Sequence, residues 1–170
     1  PAGGRLARAP PRIARRAVTG GTGTGHATPR PASGTVTRVS VERGGKSRNV
    51  VVADADLDAA AKGAINAICY GKGELCSAGS RLLVEASIHD ALMEKVVERA
   101  KKMAPGDPLD PKTRLGSRVS EKQRANVARS LASGKTHGAR TCAGGHAPAA
   151  QRQAACLRAP AVRGRRPPPP

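Results

Sequence analysis

Only one aromatic side chain, Tyr70, occurs among the 170 residues of this chain. Aromatic residues supply the largest buried areas in most protein cores. Any core that this chain forms must therefore be built from Ala, Val, Leu and Ile. A chain of this length could hold one modest domain, but the composition indicates that much of it does not contribute to a core.

Charge divides the chain into two basic flanks and a more balanced middle. The net charge is +18, and residues 1–40 carry seven Arg and no acid, while residues 139–170 carry six Arg and no acid. Low hydrophobicity combined with like charge leaves too little apolar burial to offset the entropy of ordering the chain. We therefore predict that the basic ends of the chain are disordered and that its middle is ordered.

The middle of the chain alternates predicted strands and helices. Short apolar or β-branched runs predict strands at residues 36–41, 50–52 and 82–84. Helical spacing of apolar residues predicts a helix that starts after the acids near Asp56 and stops near Gly71 or Gly73. The sequence therefore predicts an α/β fold.

Two further helices are predicted downstream. The first opens at Ser87 or Asp90, and its apolar face consists of Leu92, Val96, Ala100 and Met103. The second begins at Ser120, which forms a capping-box pattern with Gln123, and stops at Gly134.

Cys76 is the candidate nucleophile. It lies in the string GELCSAGSR, residues 73–81, just beyond the predicted end of a helix, where a reactive group can meet a ligand. A lone cysteine is more often a small buried hydrophobe, and we expect that role for Cys69, which continues the helix. The loop position and the small neighbours favour a thiol nucleophile at Cys76.

Glu42, which lies 34 residues before Cys76, is the candidate general base. Gly44 and Gly45 follow it, and these glycines would let the backbone pass close to a ligand. As a base, Glu42 would activate a water near the thiol. Taken alone, a carboxylate at this position is most often a solvated strand residue.

A glycine-rich turn is the candidate phosphate site. Residues 19–25 read TGGTGTG, and such turns present backbone N–H groups to phosphates. The sequence has no Walker A motif, because Ser40 stands where the string ending in Ser47 requires a glycine. It has no GxGxxG motif either, because the third glycine falls on His26. For this string alone, a flexible loop is the alternative.

The order of these three strings resembles the aldehyde dehydrogenase family. The resemblance runs from residue 18 to residue 145 and is densest between residues 39 and 116, where VVVADADLDAA at 50–60 and KMAPGDPLDP at 102–111 are typical of the family. It thereby sets the bounds of the predicted disordered tails at residues 1–17 and 146–170, on either side of the family-like segment at residues 18–145. It implies an incomplete piece of the family's catalytic domain together with the edge of its cofactor-binding domain.

The resemblance implies NAD- or NADP-dependent oxidation of an aldehyde to a carboxylate. Cys76 would attack the aldehyde as thiolate, and Glu42 would activate the water that hydrolyses the resulting thioester. The Cys76 backbone N–H would form half of an oxyanion hole. The cofactor-binding residues implied by the resemblance are Gly20, Gly21, Thr22 and Gly25.

Several features depart from the family's pattern. The match fades at both ends into sequence rich in Ala, Arg, Pro and Gly, and the asparagine that completes the oxyanion hole in the family has no counterpart. Arg43 replaces the apolar residue that normally follows the glutamate. We therefore expect a truncated or frame-disrupted piece of such an enzyme, inactive by itself.

Two alternatives remain open. The arginines of the flanks would bind nucleic-acid phosphates without sequence specificity, although no aromatic stacking platform accompanies them. The other alternative is a remnant without function. If the chain is enzymatic, we expect a small aldehyde as partner and no specific nucleic acid. The resemblance also implies homo-oligomers, although the segments that form them are mostly missing from the match.

The spacing of the cysteines and the hydropathy of the chain indicate its cellular setting. The four cysteines, Cys69, Cys76, Cys142 and Cys156, form no CxxC pair. No apolar stretch approaches the roughly 20 residues that a membrane helix needs. We therefore expect no metal site, no membrane partner and a reduced, cytoplasmic setting.

Overall fold

The computed structural model describes residues 12–146 and the backbone of residues 161–163. In chain order, the elements are β1 (Arg15–Gly20), α1 (Thr22–Ala27), α2 (Pro29–Ser33), β2 (Arg38–Arg43), β3 (Arg48–Val51), α3 (Leu57–Cys69), β4 (Arg81–Val84), α4 (His89–Lys101), α5 (Glu121–Thr136), β5 (Arg140–Ala143) and β6 (Ala161–Arg163). Short 3-10 turns at Tyr70–Gly73 and Ala86–Ile88 precede β4 and α4 respectively. The chain divides into two compact units at Lys46 and Ser47.

The first unit is a small β-α-β arrangement. β1 and β2 pair in parallel, with Val18 opposite Val41 and Thr19 opposite Glu42. The connection between the strands runs through the two short helices α1 and α2. Within residues 12–46, the buried side chains are those of Arg16, Thr28 and Ala32.

β2 begins two residues later than the strand predicted at residues 36–41. Val36 has a φ of 49° and is 91% exposed, because the chain turns there after α2. The backbone N–H of Val36 donates to the carbonyl oxygen of Ser33 at 3.3 Å. A β-branched residue therefore occupies a left-handed turn position, which the apolar pattern did not predict.

The second unit contains the main core. β3 and β4 pair in parallel, with Val51 opposite Val84, and α3 and α4 provide most of the buried residues. The buried cluster comprises Val51, Ala61, Ala64, Ile65, Cys69, Leu92, Val96 and Ala100. The core is therefore built from small and aliphatic side chains, as the composition predicts.

Local signals explain where α3 begins and ends. The side chain of Asp56 caps it, accepting hydrogen bonds from the backbone N–H groups of Asp58 at 2.8 Å and Ala59 at 3.1 Å. The chain then turns left-handed through Gly71, Lys72 and Gly73, whose φ angles are 61°, 65° and 72°. The predicted stop near Gly71 or Gly73 is confirmed.

α4 does not open at the predicted residues. It begins at His89, and Ile88 occupies the N-cap position without a side-chain cap. The Ser87 hydroxyl donates to Oε1 of Glu85 at 2.8 Å instead. Three residues of the predicted apolar face of α4 are buried, Leu92, Val96 and Ala100, whereas Met103 lies beyond the end of the helix at Lys101 and is partly buried against the core.

α5 has the predicted cap but a later end. The Ser120 side chain accepts from the backbone N–H of Gln123 at 3.2 Å, and the helix continues past Gly134 to Thr136. The terminating residue is Gly138, with a φ of 82°, whose N–H donates to the Lys135 carbonyl at 3.0 Å. None of the residues of α5 is buried.

The two predicted tails lie largely outside the described residues. Residues 15–17 of the predicted N-terminal tail belong to β1. Residues 161–163 of the predicted C-terminal tail form β6, whose backbone pairs antiparallel with β5. In the described part of the chain, no helix has the length and apolar character needed to cross a membrane.

Candidate functional site

Cys76 lies at the tip of a tight turn in the second unit. The backbone N–H of Ala78 donates to the carbonyl oxygen of Leu75 at 3.2 Å, which closes a four-residue turn over Cys76 and Ser77. The Cys76 side chain is exposed. The thiol can therefore be approached by a small molecule from solution.

Packing behind the turn fixes where it lies. Ala78 is buried, and the backbone N–H of Gly79 donates to the Ala67 carbonyl on α3 at 2.9 Å. A Cβ at Gly79 would lie 2.6 Å from Nδ2 of Asn49 and 2.8 Å from Cβ of Ala67. Only glycine lets the chain pass this closely between β3 and α3.

The neighbouring Cys69 is a contrasting thiol. It is 5% exposed at the end of α3, and burial raises the pKa of its thiol. A buried thiol of this kind packs as a small hydrophobe. Among the described residues, the exposed free cysteines are Cys76 and Cys142, and Cys156 lies outside the described residues.

The backbone at Cys76 leaves a donor free. Among the described residues, the Cys76 N–H takes part in no backbone hydrogen bond, and the hydrogen bond that closes the turn runs from the N–H of Ala78 to the carbonyl of Leu75. An unpaired N–H on the nucleophile itself is the kind of donor that stabilises a developing oxyanion.

Glu42 belongs to the first unit. It occupies the second-last position of β2 and is exposed. Arg43 is also exposed, so its replacement of an apolar residue buries no charge. The Arg43 side chain lies against the glycine-rich turn, since a Cβ at Gly25 would be 2.9 Å from its Cδ.

The glycine-rich turn and Glu42 lie at the same end of the β1–β2 sheet. Gly20 ends β1 opposite Arg43, Gly21 is the N-cap of α1, and Thr22 is its first residue. Nothing lies within 4 Å of a Cβ placed on Gly21. There is therefore open space beside Gly21 at the start of α1. The predicted site residues are divided between the two units. Glu42 and the predicted cofactor residues Gly20, Gly21, Thr22 and Gly25 belong to the first unit, whereas Cys76 belongs to the second.

A cleft of about 900 Å³ lies beside the Cys76 turn in the second unit. Its apolar lining includes Ile65, Cys69 and Met103, and Leu75 and Ser77, the two neighbours of Cys76, also line it. The basic side chains around it are Lys62, Arg99, Lys102 and Arg114. The sequence did not predict this cleft, because it is formed by residues from α3, α4 and two loops. The sequence indicated only that Ile65 and Cys69 lie on the same face of a helix, because they are four residues apart.

No metal centre is present in the described residues. Within residues 12–146, no three His, Cys, Asp or Glu side chains lie close enough together to hold an ion.

Comparison with known proteins identifies the relatives of this chain. The model of the aldehyde dehydrogenase family matches residues 2–165. Betaine aldehyde dehydrogenase from Bacillus subtilis is 42% identical over 130 residues, which are 76% of this chain and 26% of that protein. Retinal dehydrogenase 2 from Gallus gallus is 43% identical over 108 residues, which are 64% of this chain and 21% of that protein.

Solved structures give the same relationship. An aldehyde dehydrogenase from Bacillus cereus, determined as its NAD+ complex, superimposes with a TM-score of 0.88 at 31% identity. The match covers 94% of this chain and 32% of that one. The chain thus spans about a fifth to a third of the length of these relatives, which agrees with the expectation of an incomplete piece of the family's α/β fold.

Proposed function

The chain belongs to the aldehyde dehydrogenase family, and on that premise we propose that it carries the nucleophile and the base of an NAD(P)-dependent oxidation of an aldehyde to a carboxylate. Because it spans 26% of the length of its Bacillus subtilis relative, we propose further that the chain does not turn over substrate alone.

Cys76 is the nucleophile in this proposal. Its thiolate attacks the aldehyde carbon to give a thiohemiacetal, and the free Cys76 N–H supports the negative charge that develops on the carbonyl oxygen. The observation that carries the proposal is the position of this thiol, which is exposed at the tip of a turn anchored on a buried core.

Glu42 is the general base for the second half of the reaction. After oxidation, the acyl group is held on the Cys76 sulfur as a thioester. Glu42 takes a proton from water, the resulting hydroxide attacks the thioester, and the carboxylate product leaves as the thiolate is regenerated. Its place at the end of β2 is exposed to water, as this role requires.

The glycine-rich turn is the proposed cofactor site. The backbone N–H groups of Gly21 and Thr22, at the start of α1, would hold the phosphates, and Gly20 and Gly25 would let the backbone approach them. NAD or NADP, when bound, supplies the hydride acceptor for the oxidation. These residues fit a phosphate through backbone groups and do not discriminate between the two cofactors.

A reduced, cytoplasmic setting suits this chemistry. The thiolate is the reactive form of Cys76, and exposed thiols such as Cys76 and Cys142 are lost to disulfides in oxidising compartments. No observation on the described residues favours the nucleic-acid alternative over the aldehyde substrate.

A chimeric enzyme tests the proposal. Residues 18–145 would replace the matched segment of the Bacillus subtilis betaine aldehyde dehydrogenase, and cofactor reduction would be followed with a panel of aldehydes. We expect turnover that falls roughly 10³-fold or more in Cys76→Ser and is unchanged in the control Cys142→Ser. Turnover that survives Cys76→Ser, or a folded chimera without turnover, would contradict the proposal.

The isolated chain gives the complementary result. We expect no NAD-dependent oxidation of acetaldehyde, propanal or benzaldehyde by the purified protein, since positioning of the cofactor supplies much of the rate. Turnover that Cys76→Ser abolishes would overturn this part of the proposal.

A further inference from the structure

A second segment of the chain contacts the turn that precedes Cys76. Residues 118–119 lie immediately before the α5 cap and meet residues 72–74 through two hydrogen bonds, and an ion pair lies within residues 72–74. The backbone N–H of Val119 donates to Oε1 of Glu74 at 3.2 Å. Nη1 of Arg118 donates to the carbonyl oxygen of Lys72, and Nζ of Lys72 lies 3.1 Å from Oε2 of Glu74.

Glu74 is the centre of this arrangement. Each of its two carboxylate oxygens has its own partner, one on the segment before α5 and one within the turn. Its side chain is 17% exposed, and that of Lys72 is 30% exposed. These contacts are therefore screened less by water than an ion pair on the open surface.

The backbone at this place needs external support. Lys72 is left-handed, with a φ of 65°, a conformation that a side chain disfavours and that persists where surrounding contacts hold it. Lys72 lies two residues before Glu74, and the Lys72 carbonyl oxygen is the group to which Arg118 donates. Tight packing then transmits the position along the chain, because a Cβ on Gly71 would lie 2.7 Å from Cγ of Leu75.

We propose that Glu74 is a positioning residue for Cys76: by binding Val119 and Lys72 together, it holds the left-handed turn that sets where the Cys76 turn lies. The proposal rests on the proposed function for the role of Cys76 as nucleophile. The contacts and their test do not depend on turnover. No signal in the sequence pointed to it, because the partners are 45 residues apart.

The test uses the full chain and two substitutions at one site. Glu74→Ala removes both contacts, whereas Glu74→Gln keeps an acceptor for the Val119 N–H and loses the charge that Lys72 faces. The matched control is Glu98→Ala, which removes the exposed Glu98–Lys102 ion pair on α4. Amide exchange of Val119 and Ala78 is followed by NMR, and iodoacetamide labelling of Cys76 relative to Cys142 by peptide mass spectrometry.

We expect Glu74→Ala to accelerate exchange at Val119 and Ala78 by about 2- to 10-fold, as expected for the loss of a hydrogen bond. The Cys76 to Cys142 labelling ratio should rise by a similar factor as the turn loosens. Glu74→Gln should restore most of the wild-type behaviour at both amides, and Glu98→Ala should change none of these values.

Three results would overturn the proposal. The first is wild-type exchange at Ala78 and a wild-type labelling ratio in Glu74→Ala. The second is an equal effect of Glu74→Gln and Glu74→Ala, which would show that the charge of Glu74 matters and its hydrogen bond to Val119 does not. The third is acceleration that extends equally to the amides of Ala64 and Ile65 on α3, which would indicate a general loss of stability. Because labelling requires no turnover, these results remain separate from a failure of the chimeric enzyme.

Discussion

The two units of this chain differ in what holds their candidate functional groups. In residues 47–146, the Cys76 turn is anchored on α3, within a core whose buried members include Leu92 and Ala61, both at 0% exposure. In residues 12–46, Glu42 and the glycine-rich turn are held by two paired strands and two short helices, and the buried apolar side chain described there is that of Ala32.

This difference indicates how far each group is positioned by local structure. Burial of apolar area is the dominant favourable term in folding, so the Cys76 turn has its own structural support. Two-stranded parallel sheets are normally covered on both faces, and neither β1 nor β2 has a fully buried aliphatic face. The thiol should therefore keep its local geometry under conditions in which the strand carrying Glu42 exchanges freely.

The largest effect is expected from opening a cavity in the second unit. Leu92 is 0% exposed in α4, and Leu92→Ala should lower the free energy of unfolding by about 2–5 kcal/mol. Urea denaturation measures the change. Leu109→Ala, at a side chain 90% exposed, is the matched control and should cost less than about 0.5 kcal/mol. Equal losses of unfolding free energy in the two variants would contradict the assignment of Leu92 to the core and Leu109 to the surface.

The close passage at Gly79 should give the next largest effect. A Cβ there would meet Asn49 and Ala67 at 2.6 and 2.8 Å, so Gly79→Ala should destabilise by about 1–3 kcal/mol. Gly63→Ala on α3 meets nothing within 4 Å and should instead stabilise by up to about 1 kcal/mol. Thermal unfolding of both variants checks the opposite signs. A Gly79→Ala variant as stable as the wild type would show that the chain does not pass closely behind Cys76.

Removing the cap of α3 should have an intermediate effect. Asp56 accepts two backbone hydrogen bonds, and Asp56→Ala should cost about 1 kcal/mol, within a range of roughly 0.5–2 kcal/mol. Asp54→Ala changes a nearby exposed carboxylate and serves as the control. We expect the amides of the first turn of α3 to lose protection first in hydrogen exchange. Equal losses in the two variants would argue against capping.

The first unit should respond more weakly. Gly25→Ala brings a Cβ to 2.9 Å from Cδ of Arg43, a flexible side chain, whereas Gly23→Ala meets nothing within 4 Å. We expect the two variants to differ by about 0.5 kcal/mol or less, measured by amide exchange in β1. In an Arg43→Ala background, the difference should vanish. A persistent difference would place the obstruction in the backbone.

The smallest effect should come from an exposed ion pair between the two core helices. Nζ of Lys95 donates to the Asp58 carboxylate at 2.9 and 3.0 Å, and this hydrogen bond to Lys95 lowers the pKa of Asp58. A lowered folded-state pKa contributes stability that is complete above the unfolded-state pKa and is lost as the pH falls through the folded-state value.

Asp58→Asn should therefore lower Tm slightly at neutral pH, and its Tm should converge with that of the wild type as the pH falls below the ordinary range of an aspartate. Because the pair is exposed, added salt should reduce the neutral-pH difference. A difference that grows on acidification would have the wrong sign for this ion pair.

The sequence predicted most accurately where local pattern and burial coincide. α3 carries apolar residues at helical spacing, and Ala61, Ala64 and Ile65 are buried as that spacing implies. The Asp and Ser caps of α3 and α5 are local hydrogen bonds between residues two or three apart, so they could be identified from the sequence. The contrast between buried Cys69 and exposed Cys76 was predicted for the same reason, from the position of a helix end.

The features that the sequence did not predict depend on distant partners. β1 lies partly within an Arg-rich stretch expected to be a tail, but it pairs with β2 over its whole length. β5 pairs with β6 across a long separation, and Glu74 meets Val119. Pairing of this kind depends on closure of the intervening chain rather than on local composition, so no local pattern indicates it.

The most direct test of the central claim is to trap the acyl group on the sulfur. The chimeric enzyme carrying Glu42→Gln would be mixed with aldehyde and cofactor, quenched in acid, digested and examined by peptide mass spectrometry. Because removal of the base stops hydrolysis of the thioester, we predict an acyl adduct on the peptide containing Cys76 and none on those containing Cys69 or Cys142. An adduct on another residue, or continued turnover with Cys76 free, would contradict the account.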